Sequence, residues 1–191
     1  ILVTFNTILG IFAIIISLIA YIPYFRDIFK GKTKPHAYTW LVWSILTAIA
    51  FVAQILDGAG AGAWITAVIS VVSITIFVLA LNRGEKNITK SDKLSLAAAF
   101  IALLLWWLTS SPLTSIILIT LVDFFAFYPT IRKSYHKPME ETLSTYLLDG
   151  IAFVFAVIAL ENFSIISALY PVALVFLNLG FVLFLMIRRK K

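Results

Sequence analysis

The sequence predicts an all-α membrane protein with seven transmembrane helices, its N-terminus outside and its C-terminus cytoplasmic, and three observations lead there. Of 191 residues, 62% are hydrophobic and 13% charged, against roughly 45–50% apolar and about 25% charged in a soluble domain. Uncharged apolar stretches recur along the whole chain, and a span needs about 20 such residues. Every lysine and arginine falls in alternate loops or in the tail, as happens when basic residues are retained on the cytoplasmic side.

The first stretch, 3–25, has no basic leader and is matched later by an internal repeat, so it is expected to be a retained span and not a cleaved signal. The second and third, 38–56 and 62–82, are joined through Gly58, Gly60 and Gly62, which alternate with alanine. That run lacks the lysine and serine or threonine of a phosphate loop and reads as close packing. The fourth stretch, 94–109, is the shortest. Ser110-Ser111-Pro112 then supplies a helix N-cap and an N1 proline, making a tight hairpin with the fifth, 112–131. The sixth and seventh are 143–160 and 164–187, and the fifth and sixth each carry one aspartate.

The basic residues divide cleanly. Arg26, Lys30, Lys32 and Lys34 lie in the first loop, Arg83, Lys86, Lys90 and Lys93 in the third, Arg132, Lys133 and Lys137 in the fifth, and Arg188, Arg189, Lys190 and Lys191 in the tail. The opposite face carries only Asp57 and Glu161. The net charge of +6 is therefore a topology signal, with no call for nucleic acid, and a solvated inner rim is enough to explain it. An integral protein of a bacterial or archaeal cytoplasmic membrane is expected, with the lipid bilayer and a small-molecule substrate as partners and a homo-oligomer left open.

A shift of 106 residues lays the first three spans on the last three without a gap. Ala20, Pro23 and Arg26 meet Ala126, Pro129 and Arg132, while Thr39, Ala50 and Ala53 meet Thr145, Ala156 and Ala159. Trp40 and Trp64 meet Tyr146 and Tyr170. Both halves cross in the same direction, as a parallel repeat requires, and the fourth helix restores that direction. The expected organisation is a three-helix repeat over 1–82, an inner loop and linker helix over 83–111, and a second repeat over 112–191.

This three-plus-one-plus-three plan resembles the PQ-loop and SWEET superfamily of small transporters. The likeness is carried by Tyr21-Ile22-Pro23-Tyr24-Phe25-Arg26 and Phe127-Tyr128-Pro129-Thr130-Ile131-Arg132. Tyr24 and Thr130 stand where that signature has glutamine. Lys32-Thr33-Lys34-Pro35-His36 and the Thr39-Trp40-Leu41-Val42-Trp43 that follows resemble a bacterial branch of such membrane proteins. Leu147-Leu148-Asp149 looks like the sixth helix of the cystinosin branch, where the resemblance implies an aspartate that couples export to protons.

An ionisable group in hydrocarbon costs about 2.5–3.5 kcal/mol on insertion scales, which makes Asp149 and Asp123 site candidates. Asp149 lies about 12 Å along its helix from Glu141. Thr145 and Tyr146 sit four and three residues before it, placing hydroxyls on its helix face. Under the repeat Asp149 corresponds to Trp43, so the two are expected to face each other across a central pathway. Trp43, Tyr146, Asp149 and Asn178 are the candidate substrate contacts, and Asp149 and Asp123 the candidate proton-coupling groups. Asn178 is equally readable as interhelical glue, and Gln54, Ser70 and Ser73 are weaker candidates. Trp40, Trp64, Trp106 and Trp107, near helix ends, are expected in the interfacial aromatic belt. Pro23 and Pro129 each remove a backbone donor and are expected to act as hinges.

No lysine lies in a spanning stretch to form a retinal Schiff base, cysteine is absent, and His36 and His136 lie in separate loops. No metal, cofactor or catalytic constellation is therefore expected. The expected function is a secondary transporter or facilitator for a compact polar or cationic metabolite, such as a sugar or amino acid, working by alternating access with proton coupling. Two alternatives stand beside it. Trp40-x-x-Trp43 resembles the tryptophan-rich sites of nicotinamide-riboside-type vitamin transporters, and a receptor or scaffold would use the basic loops to bind partners or anionic lipid.

Overall fold

The computed structural model describes residues 4–109 and 111–190. Among these the regular elements are all helical: α1 (Phe5–Phe29), α2 (Ala37–Leu56), α3 (Trp64–Arg83), α4 (Lys90–Thr109), α5 (Pro112–His136), α6 (Leu143–Ile158) and α7 (Ile165–Arg189), with short 3-10 turns at Gly60–Ala63 and Pro138–Glu140. Five segments, Phe5–Phe29, Ala37–Leu56, Gly60–Arg83, Leu113–His136 and Ile165–Arg189, are long and apolar enough to cross a membrane. Helix α6 is apolar but has 16 residues. Helix α4 begins on Lys90, Asp92 and Lys93.

Hydroxyl side chains start three of the helices by accepting a backbone N–H that has no partner inside the helix. Thr4 accepts from Thr7 N, Ser111 from Thr114 N, and Ser164 from Ser167 N within a reciprocal capping box. Ser111 and Pro112 thus take the cap and first-turn places read from the sequence, while Ser110 lies outside the described residues. Helices α1 and α5 run past their expected ends and contain Pro23 and Pro129 as interior residues. A neighbouring side chain that bonds backbone near the missing donor makes such a proline tolerable in a membrane helix. Thr145 donates to the Ala20 carbonyl at 2.8 Å and Thr39 to the Ala126 carbonyl at 2.9 Å, each three residues before the proline.

Helix α1 packs on α6 and α3, and α5 packs on α2 and α7. Helix α2 lies along α3, and α6 along α7, while α4 leans on α5 and touches α2. Exchanging α1, α2 and α3 for α5, α6 and α7 leaves the principal contacts among these six helices unchanged, and α4 stands outside that exchange. The alanines matched at a spacing of 106, Ala20, Ala50, Ala53, Ala126, Ala156 and Ala159, are all buried, where small side chains let helices approach. At the end opposite the basic loops, Gly58 and Gly60 take left-handed φ values of 76° and 59°, which glycine adopts without strain. A Cβ on Gly62 would lie 2.8 Å from the Ala156 carbonyl oxygen, so that turn is packed against α6.

The polarity is that of a protein dissolved in lipid. Ile15, Ile22, Leu121, Phe125, Phe176 and Leu183 point outward, whereas Ser17, Thr47, Ser73, Asp123, Asp149 and Asn178 are buried. An all-α membrane protein is built this way, because its solvent is apolar and its polar groups must find partners inside.

Candidate functional site: a cavity between the helices

All four candidate substrate contacts and both candidate proton-coupling groups line one interior cavity. Trp43, Asp123, Tyr146, Asp149 and Asn178 meet there with Trp40, Tyr21, Phe127, Ser73 and Tyr170. Its free volume is about 30 Å³, room for about two waters. Any larger solute therefore requires the surrounding helices to separate.

The two acids sit in different surroundings. Asp149 on α6 is bonded across to α1, accepting from Ser17 Oγ at 2.9 Å and Tyr21 Oη at 3.3 Å. The hydroxyls expected to serve it do not. Thr145 donates to Ala20, and Tyr146 donates to Glu141 at 3.1 Å, because the α1–α6 packing presents Ser17 and Tyr21 to the carboxyl first. Asp123 on α5 is 1% exposed, and neither of its carboxyl oxygens has a hydrogen-bond partner. The Trp43 indole N–H approaches it without reaching hydrogen-bond geometry.

Asp149 and Trp43 share the cavity, Asp149 bonded to Ser17 and Trp43 lying beside Asp123 without a hydrogen bond. The two pairs are related by the 106-residue spacing, since Ser17 corresponds to Asp123 and Trp43 to Asp149. Ser17 was not among the candidates, although that spacing already tied it to an intramembrane acid.

Trp40, expected in the interfacial belt, is 2% exposed. Its ring packs against Trp43, Tyr24 and Tyr21 with centroids 4.9, 5.3 and 6.2 Å away. Nearness to a helix end misled because α1 continues past Pro23 and covers it. Trp107, at 70% exposed, and Trp64, also exposed, keep a surface position, while the Trp106 side chain lies outside the described set. Asn178 lines the cavity, but its amide N–H bonds the Leu174 carbonyl of its own helix at 2.9 Å. Gln54 and Ser70 bond neighbouring backbone, at Ser167 and Ser44. Ser73, ranked low from sequence, is fully buried on the cavity wall with no hydrogen-bond partner.

No family model matches the chain, and no curated protein or solved structure matches it.

Below the cavity, toward the basic loops, Arg26, Lys30, Lys32, Arg83, Lys86, Lys90, Lys93 and Lys137 form the exposed rim expected from charge counting, and buried pairing lies beneath it. Lys133 and Glu141 are 3% and 2% exposed and bonded to each other. Glu141 also accepts from Tyr24 and Tyr146, both at 3.1 Å, joining α1 to α6. Nearby, the fully buried His36 lies 3.3 Å from Asp92, which Arg132 also pairs at 2.9 Å. Burial pushes the His36 imidazole below its ordinary 6.5, with Asp92 pulling the other way. Burial raises the Glu85 carboxyl, but the Lys137 ammonium at 2.8 Å and the Asn87 N–H outweigh it and hold Glu85 at about 2.

Proposed function

We propose that this chain is a small secondary transporter of seven spanning helices, built as a parallel three-plus-one-plus-three repeat like the PQ-loop and SWEET superfamily. The proposed orientation keeps the basic loops cytoplasmic. The solute is a compact polar or cationic metabolite, the cavity is its binding site, and the two three-helix units open it alternately to either side. The observation that carries this reading is a polar, aromatic cavity whose walls come from both units, with two acids from the second unit, Asp123 and Asp149, on its wall. Binding proteins need such a cavity; a transporter also needs it to lie between two units that can move apart.

In this account the Tyr24–Glu141–Tyr146 junction, tied down by Lys133, closes the cytoplasmic side. Gln54 on Ser167 and the small-residue turn at Gly60–Ala63 close the other. Pro23 and Pro129 supply the bends about which the cytoplasmic ends move. Asp149 takes and releases a proton as its contacts with Ser17 and Tyr21 are made and broken.

The purified protein in proteoliposomes, offered labelled sugars, amino acids and nucleosides, tests the reading. Saturable uptake above protein-free vesicles is expected for one class. Saturable binding without flux would replace the transporter by a receptor. Both Trp40 and Trp43 line the cavity, which favours a second reading as a nicotinamide-riboside-type vitamin or nucleoside transporter, and uptake confined to heteroaromatic ribosides would select it.

A further inference from the structure

We infer that Asp123 is the contact for a positively charged nitrogen, which makes the solute of the cavity a compact organic cation with N–H donors. This rests on the cavity being the solute site. Asp149 has two hydroxyl donors, whereas both oxygens of Asp123 are buried and unpartnered. Two more buried oxygens on the same wall lack partners, Ser73 Oγ and Tyr170 Oη, while the Trp43 indole N–H, a donor only, faces Asp123. Native interiors rarely leave such groups unpaired, and a cluster of them around one cavity marks a place where a ligand or water completes the bonding.

The chemistry of the wall selects the ligand's charge. It carries two carboxyls and no lysine, arginine or histidine, so an anion meets repulsion while a cation meets a partner for an otherwise uncompensated charge. Trp43 and Phe127, with ring centroids 5.2 Å apart beside Asp123, offer the aromatic faces that attract ammonium and guanidinium groups. The hydroxyls of Ser73 and Tyr170 can accept the remaining N–H donors of a cation.

The test is thermal stabilisation of the full chain in nanodiscs by two matched pairs, methylguanidinium against methylurea and butylammonium against butanol. The cations are expected to raise the melting temperature saturably and the neutral partners to leave it unchanged. Asp123→Asn, which keeps the side chain's shape, should weaken the cation response at least about 30-fold. Trp43→Leu should weaken it about threefold or more, which keeps the inference testable if Asp123→Asn fails to fold. Glu161→Gln, at the far end of the bundle, should leave it intact. Equal responses to methylurea, no response to either cation, or an unchanged response in Asp123→Asn would each overturn the inference. Cation binding without flux in proteoliposomes would support it while removing the transport reading. Flux of a neutral solute without cation binding would remove the inference and leave transport standing.

Discussion

Thr39 donates its hydroxyl to the carbonyl of Ala126 at 2.9 Å, and 106 residues on Thr145 makes the same bond to Ala20 at 2.8 Å. Each bond ties the second helix of one triple to the first helix of the other, beside a proline. Thr39→Val and Thr145→Val keep the shape and lose the bond, so each should cost about 0.6–1.7 kcal/mol in reversible unfolding in detergent. The two costs are expected to be of the same order, with Thr39→Val also removing the acceptor of the Thr130 hydroxyl at 3.3 Å. A loss confined to one would separate the halves in function.

Pro23→Ala with Pro129→Ala restores two backbone donors in the interiors of α1 and α5. Stability should rise by up to ~3 kcal/mol while solute exchange slows at unchanged binding affinity. Stopped-flow exchange beside equilibrium binding measures both, and an unchanged exchange rate would remove the hinge role.

Two acid-dependent losses of stability are expected at the basic end. His36 is held below its ordinary 6.5, so the folded state resists the proton that the unfolded state takes up. Stability is present above pH 6.5 and falls as pH drops below that value. Glu85 is held at about 2 against an ordinary 4.5, so its contribution is full above 4.5 and is lost between that value and about 2. Melting curves against pH should flatten in the upper window for His36→Gln and in the lower one for Glu85→Gln.

The orientation is open to direct labelling because the chain has no cysteine. Single substitutions Lys32→Cys and Glu161→Cys place thiols at exposed positions at opposite ends of the bundle. In right-side-out vesicles an impermeant maleimide should reach Glu161→Cys and miss Lys32→Cys until the membrane is permeabilised. The reverse pattern would invert the topology.

Much of the fold is legible in the sequence because a lipid solvent imposes a simple length rule: apolar runs become helices, and Ser111-Pro112 divides two of them. The acids are legible for the same reason, since Asp123 and Asp149 interrupt those runs. Their partners are not. Helical spacing can say that Thr145 and Tyr146 share a face with Asp149, but which hydroxyl reaches it depends on how α1 lies on α6, and Ser17 and Tyr21 get there first. The buried Lys133–Glu141 pair is hidden similarly, because a lysine counted as a loop charge turns inward only once Tyr24 and Tyr146 supply a second use for the carboxylate.

The measurement that bears most directly on the account is accumulation in proteoliposomes under an imposed pH gradient, with the panel of sugars, amino acids and nucleosides, for the wild-type chain, Asp149→Asn and Asp123→Asn. Asparagine keeps the shape of aspartate and one acceptor oxygen but cannot release a proton at working pH. The wild type should accumulate at least one class of solute. Asp149→Asn should lose that accumulation while still exchanging the solute downhill, and Asp123→Asn should lose uptake through weakened binding. Accumulation by Asp149→Asn at the wild-type level would contradict the account, because protons would then be coupled elsewhere or not at all.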